Sequence, residues 1–205
     1  MKIIDCLQCD TEWLACRVGK VTASEMHNLV TPKFAIKKGD GPTTYLYRKL
    51  AEAYRGCPLP GFSAWSTEQG EELEDEARKW FAFEYGDTER IQRVGFIEHD
   101  DGRCGCSPDA LLGEEGGLEL KCPEPTNHVR YLLDGVLPDD YAAQVHMSMY
   151  VTGRPWWKFV SYRRKFPAFV LKVQRDERIC AVIADALAQF YDRFDAAIQK
   201  LRQAA

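Results

Sequence analysis

The sequence predicts an α/β chain in which a central mixed β-sheet carries helices on its faces. Three observations lead there. Several segments repeat apolar residues at helical spacing, and shorter apolar runs between Gly/Asp breaks read as strands. Their order is helices, a strand meander, a helix, a strand pair and a last long helix, the alternation of a layered mixed fold. The 205 residues, 45% hydrophobic and 28% charged, suit a single domain over residues 1–205, burying about 70% of the surface of its unfolded chain.

The first helix is expected at Thr22, where Thr-Ala-Ser-Glu25 reads as a capping box. Residues 31–44, with two prolines, two glycines and three lysines, read as an exposed loop, and a second helix follows over 44–55. Residues 56–63 read as another loop. A third helix is expected from Ser66, with Leu73, Ala77, Trp80 and Phe81 on one face. Strands follow over 91–98, 104–112 and 117–122, separated by breaks at 100–102 and 113–117. A helix over 141–151 places Tyr141, Val145 and Met149 on one side. Strands over 156–162 and 168–174 precede the last helix, whose stripe is Ile179, Ile183, Leu187, Phe190, Phe194 and Leu201.

Net charge is −4, but it is unevenly placed. Residues 1–60 hold nine Lys/Arg against six Asp/Glu. Residues 61–153 hold seven against twenty, and residues 154–178 hold eight against two. An acidic middle between basic ends suits a carboxylate-lined metal centre beside surfaces that attract a polyanion; a set of solvated faces on a mildly acidic enzyme fits the same numbers. No apolar run approaches the roughly 20 residues of a membrane span, and no signal-peptide run opens the chain, so a cytoplasmic protein is expected. The eight cysteines read as reduced, buried thiols. Cys6, Cys9 and Cys16 with Cys104, Cys106 and Cys122 can also be drawn as a zinc site. His27, His99, His128 and His146 form no spaced ligand set.

The chemistry is concentrated in residues 107–123, SPDALLGEEGGLELKCP. Asp109 lies near one end of a strand and Glu119 in the next, with a tight turn between. Glu119 and Lys121 are two apart, so on a strand both side chains leave one face. Two carboxylates and an ammonium then converge. Asp109 and Glu119, with the backbone carbonyl of Leu120, are hard oxygen ligands suited to Mg²⁺, and Lys121 offsets their charge and can hold a water. Arg17 precedes the start of the Thr22–Ser24 helix, and that pairing suits an anion.

This stretch resembles the PD-(D/E)xK nuclease signature, and more narrowly the YqaJ-type viral recombinase family that includes phage lambda exonuclease. Residues 13–28 (WLACRVGKVTASEMHN), 44–52 (TYLYRKLAE), 74–78 (EDEAR) and 141–152 (YAAQVHMSMYVT) are similar to blocks of that family in the same order. The resemblance implies a restriction-endonuclease-like core and a 5′→3′ exonuclease acting on linear double-stranded DNA. It implies two Mg²⁺ per site with Mn²⁺ as substitute, a ring-shaped homotrimer and a single-strand annealing protein as partner. Residue by residue, it makes Asp109 and Glu119 metal ligands, Lys121 the water-positioning base, Glu74 a helix-borne acid for a second metal, and Gln144 a site glutamine. It assigns Arg17, Ser24 and Ser107, with Thr22, to a pocket for the terminal 5′-phosphate. The family's leucine wedge before Glu74 is missing; Phe62 and Trp65 are nearby substitutes. Two other readings stay open, a structure-selective or restriction-like endonuclease and a non-catalytic DNA-binding or scaffold protein.

Overall fold

The computed structural model describes residues 1–59 and 68–204, with the side chains of residues 68–71 left aside. Nine strands and six α-helices run in the order β1 (Lys2–Ile4), α1 (Thr11–Arg17), β2 (Val21–Thr22), α2 (Asp40–Arg55), α3 (Glu68–Tyr85), β3 (Ile91–Gln92), β4 (Phe96–Glu98), β5 (Cys104–Cys106), β6 (Ala110–Leu112), β7 (Gly116–Lys121), α4 (Pro125–Asp134), α5 (Asp139–Thr152), β8 (Trp156–Ser161), β9 (Phe169–Gln174) and α6 (Glu177–Gln203), counted among the described residues. A 3-10 helix covers Ala23–Asn28.

The strands form two mixed sheets, not one. The first has the order β1-β4-β5-β2 and the second β3-β6-β7-β8-β9. Two segments expected as continuous strands are divided between them, residues 91–98 into β3 and β4 and residues 104–112 into β5 and β6. Each break has a local cause. Gly95 lies so close to Cys6 that a Cβ there would meet the Cys6 carbonyl oxygen at 2.1 Å. Pro108 has no N–H with which to continue a ladder, and the chain leaves the first sheet there.

The second sheet carries the site. Its β7 and β8 run parallel, with Gly116 opposite Trp156, Gly117 opposite Trp157 and Lys121 opposite Ser161. Leu118 and Leu120 pack with Ala77 and Phe81 of α3. On the other side, Trp157 and Phe159 join the larger core with Val145 and Met149 of α5 and Ile183, Leu187 and Phe190 of α6. Because side chains alternate along a strand, Glu119 and Lys121 face α5 and not α3.

Most helices begin and end where local chemistry directs. Asp10 caps α1 by accepting from the Trp13 N–H at 2.7 Å. Asp176 caps α6 through Arg178 and Ile179. Helix α2 begins at Asp40, four residues earlier than expected, with Pro42 in its first turn, where a missing N–H costs nothing. The Thr22 capping box is not formed. Thr22 precedes a 3-10 helix and makes no side-chain cap, because its hydroxyl is used elsewhere, as described below. The expected start at Ser66, and Phe62 and Trp65, lie outside the described residues. Among the described residues no helix is long and apolar enough to cross a membrane.

The Gly116–Gly117 pair is the tightest point of the β7–β8 pairing. A Cβ on Gly117 would lie 2.3 Å from the Trp157 ring, and one on Gly116 2.1 Å from the Trp156 ring. Gly117→Ala should therefore destabilise the protein by about 1–3 kcal/mol through overpacking. Urea denaturation of the purified variant measures this, and an unchanged midpoint would contradict the packing account.

Candidate active site

Four expected site residues come together on one side of β7. The Glu119 Oε1 atom accepts from the Gln144 side chain at 2.6 Å and lies 2.6 Å from the Lys121 Nζ. Asp109, just before β6, reaches the same strand from its edge. Its N–H donates to the Leu118 carbonyl at 3.1 Å, and its Oδ2 accepts from the Leu120 N–H at 2.8 Å. Carbonyls alternate sides along a strand. The Lys121 carbonyl accepts from Tyr162 of the chain leaving β8, so the Leu120 carbonyl points to the Asp109 side. The Asp109 carboxylate and the Leu120 carbonyl thus lie on the β6 side of β7, and the Asp109 charge acts on Glu119.

The electrostatics follow from burial. Glu119 is 3% exposed. Burial is the largest influence on it and raises its pKa; Lys121 opposes that, the Asp109 carboxylate adds to it, and the value is pushed up to about 7. Asp109 is also raised, chiefly by burial. Burial works against the charge on Lys121, but Glu119 and Asp109 beside it raise its pKa overall. The Lys121 ammonium also sits 5.3 Å from the centre of the Tyr141 ring, a cation–π contact.

Glu119 Oε2 is buried and has no hydrogen-bond partner among the described residues. A buried carboxylate oxygen left this way costs free energy unless something positive occupies the place it faces. With the Asp109 and Leu120 oxygens alongside, the donor set fits a small hard cation such as Mg²⁺.

Glu74 stands apart. It is on α3, the helix across β7 from Glu119, half exposed and paired with Arg78 at 3.1 Å. Its neighbour Leu73 accepts from the Cys122 thiol at 3.6 Å, which puts Glu74 at the rim of the strand end, where its charge and that of Asp109 both act on Cys122.

The expected phosphate residues form a second group next to the first. Arg17 is 7% exposed. Its Nη2 donates to the Thr22 hydroxyl at 3.1 Å and to that of Ser24 at 3.3 Å. Its guanidinium carbon lies 4.3 Å from the centre of the Trp13 ring, and the Trp13 indole N–H donates to the Ser107 hydroxyl at 2.7 Å. Ser24 is exposed. The parallel pairing of β2 with β5, Thr22 opposite Gly105, brings this group to the segment that runs through Ser107 to Asp109. Ser107 of this group and Asp109 of the first are two residues apart in sequence. Trp13 was missed by sequence reasoning, although its spacing four before Arg17 on a helix signals a stacked pair.

One further set of donors converges among the described residues. His99, Asp101 and Cys104 lie within 4.8 Å of one another in the β4–β5 turn. Asp101 there accepts from the Arg103 N–H at 2.8 Å and contacts His99 Nδ1 at 3.1 Å, so these groups clasp the turn. Among the described residues the cysteine set drawn for zinc does not assemble; all eight cysteines are free thiols, and, against the expectation of buried thiols, only Cys104, Cys106 and Cys180 are buried.

Comparison with known proteins decides the lineage. The YqaJ-like viral recombinase domain matches residues 12–155, the span holding every site residue above. The chain belongs to this family. An alkaline exonuclease from Laribacter hongkongensis shares its structure with a TM-score of 0.83 at 30% identity, covering 95% of this chain and 97% of that one. The same enzyme has been solved in complex with dAMP. A phage-related exonuclease from Haemophilus somnus shares the fold, with a TM-score of 0.66 at 14% identity over 89% of this chain and 96% of that one. No curated protein sequence matches the chain. The fold is the PD-(D/E)xK type that the motif resemblance implies.

The raised pKa of Glu119 gives a testable pH dependence. Its folded value lies above the ordinary 4.5, so the protonated carboxyl is favoured in the fold. That stabilisation is fully present below about pH 4.5 and is lost as pH rises through about 7. In chelator, stability should fall between pH 5 and pH 8 through this group, and Glu119→Gln should flatten the fall. Denaturation midpoints across that range measure it, and a pH slope identical in wild type and variant would show that Glu119 is not the group concerned.

Proposed function

We propose that the chain is a Mg²⁺-dependent exonuclease that digests one strand of linear duplex DNA from its 5′ end. Family membership and the exonuclease relatives support a phage-type nuclease. The observation that carries the finer reading is the adjacency of the two groups: an oxygen-rich cluster with an unpartnered Glu119 oxygen, joined through Ser107 to an arginine–hydroxyl anion pocket.

Each side chain then has a task. Asp109, Glu119 and the Leu120 carbonyl hold Mg²⁺, with Mn²⁺ as substitute. Glu74 supplies a further carboxylate from the rim for a second ion. When bound, the metal stabilises the attacking and leaving oxygens of a phosphodiester. Gln144 fixes the rotamer of Glu119 by its 2.6 Å hydrogen bond. Lys121 holds the attacking water by its ammonium. Water oxygen forms the new bond to phosphorus, the bond to the 3′ oxygen breaks, and that oxygen leaves as a hydroxyl. The product is a nucleoside 5′-monophosphate, the class to which the dAMP bound by the Laribacter enzyme belongs. Arg17, Ser24 and Ser107 hold the terminal 5′-phosphate. Such a contact contributes roughly 1.5–3 kcal/mol, about ten- to a hundredfold in preference.

The basic segment found in the sequence supports a polyanionic substrate. Lys121 is paired with Ser161 at the end of β8, so Arg163, Arg164 and Lys165 follow directly at the carboxyl end of the parallel strands, where α/β sheets place their ligands. The proposal extends to a homotrimer encircling the duplex, which keeps a processive enzyme on its track by topology, and to a single-strand annealing protein that takes up the exposed strand.

Linear duplex carrying separate 5′ and 3′ labels should lose its 5′ label first in Mg²⁺ and none in chelator, and closed circles should survive. Cutting of closed circles would move the assignment to an endonuclease. Asp109→Ala, Glu119→Ala and Lys121→Ala should each lower cleavage at least about a thousandfold with the fold intact. Near-wild-type cleavage by folded Lys121→Ala would remove the mechanism. A monomer mass by sedimentation at working concentration would reject the ring.

A further inference from the structure

Nothing in the pocket so far explains what fixes the direction of its hydroxyl groups. Thr22 Oγ1 has a single proton. It donates that proton to Glu25 Oε2 at 2.9 Å, while the same oxygen accepts from Arg17 at 3.1 Å. Thr22 is fully buried, so its hydroxyl is spent inward and no proton remains for a ligand. The sequence expectation that Thr22 contacts the phosphate is corrected by this accounting: Thr22 serves Arg17 from behind.

Glu25 is held in turn from several sides. It is 3% exposed. Its Oε2 accepts from the Tyr45 hydroxyl at 3.1 Å and lies 3.0 Å from the Lys49 ammonium, and its Oε1 pairs with Arg48. Lys49 is anchored again by Glu52 at 3.0 Å. Burial disfavours the Glu25 anion, but Lys49, Thr22 and Arg48 outweigh it and hold the carboxyl ionised below its usual range. An ionised carboxylate only accepts, so the Thr22 proton has one direction to point.

We propose that Glu25 is a positioning residue for end recognition, acting through Thr22 on Arg17. By drawing the Thr22 proton inward it presents a lone pair to Arg17 and sets the guanidinium toward Ser24, the exposed hydroxyl of the group. A carboxamide in its place carries no charge and has one acceptor atom for the donors that the carboxylate's two oxygens serve, Thr22, Tyr45 and Lys49 on one and Arg48 on the other, so its hold on the Thr22 proton weakens. The inference rests on the reading of Arg17 as the ligand of a terminal phosphate, which its own control tests separately.

The experiment compares kcat/KM on duplexes with 5′-phosphate and 5′-hydroxyl ends, as a ratio, so that any general loss cancels. Glu25→Gln and Thr22→Val should each lower the phosphate preference about tenfold, mainly through KM on phosphorylated ends. Thr22→Ser, which keeps the hydroxyl, should retain it. Thr22→Val preserves side-chain shape and carries the test if Glu25→Gln fails to fold by circular dichroism. Arg17→Ala should erase the preference. If Arg17→Ala lowers the ratio while folded Thr22→Val leaves it unchanged, the relay through Glu25 is wrong and the pocket stands. If Arg17→Ala also leaves the ratio unchanged, the pocket reading falls and the relay with it.

Discussion

A buried Glu119 meets the half-buried Lys121 and Asp109 at the end of β7, and much of the architecture exists to hold them there. Isolated, a buried Glu119 next to Asp109 favours protonation or escape to solvent. It stays because Lys121 shares its strand face, Gln144 donates to it from α5, and the strand itself is pinned between two others. Apolar residues on the alternate positions, Leu118 and Leu120, fasten the opposite face to α3. The buried Glu119 Oε2, unpartnered among the described residues, is the one strained point the arrangement leaves, and it costs stability as it stands.

The second organising feature is the crossing between sheets. Residues 107–109 leave the sheet that holds Thr22 and enter the sheet that holds Glu119. This short segment carries the Ser107 hydroxyl of the Arg17 group and the Asp109 carboxylate of the Glu119 group within three residues. The backbone therefore sets the Arg17 group and the Glu119 group at a fixed separation. Trp13 secures the junction from the first side, with its ring against Arg17 and its N–H on Ser107.

The extent to which this was legible in the sequence depended on the range of the interactions concerned. The Glu119–Lys121 pair could be read because a strand dictates which side chains share a face, and α3, α5 and α6 because their apolar stripes are local. The helix α4, the strand β1 and the short helix α1 were not read: each is brief, and the chain around it supplies the support. The division of residues 91–98 and 104–112 between two sheets depends on contacts such as Gly95 against Cys6, distant in sequence. The capping box at Thr22 had the right residue types, yet Glu25 and Thr22 were claimed by Arg17, Lys49 and Tyr45 from elsewhere in the chain. Of the residues drawn from the family resemblance, Gln144 hydrogen-bonds Glu119 from α5, whereas Glu74 lies on α3 at the rim of the strand end, paired with Arg78.

The glycine pair at the start of β7 acts as a ruler. The Trp156 and Trp157 rings fit only where no Cβ stands, so they select the alignment of β7 against β8 without reference to the charged residues further on. Glu119 and Lys121 then lie two and four positions from Gly117, a distance whose parity decides everything. One residue inserted between them keeps the indoles seated but turns both charged side chains onto the α3 face, among Ala77 and Phe81, and sends the leucines to Gln144. Two inserted residues restore the face and displace the charges along the strand by about one pleat, some 7 Å. The turn at 113–115 lies before the ruler and is free of this constraint, so length variation among relatives should collect in that turn and be absent between Gly117 and Lys121.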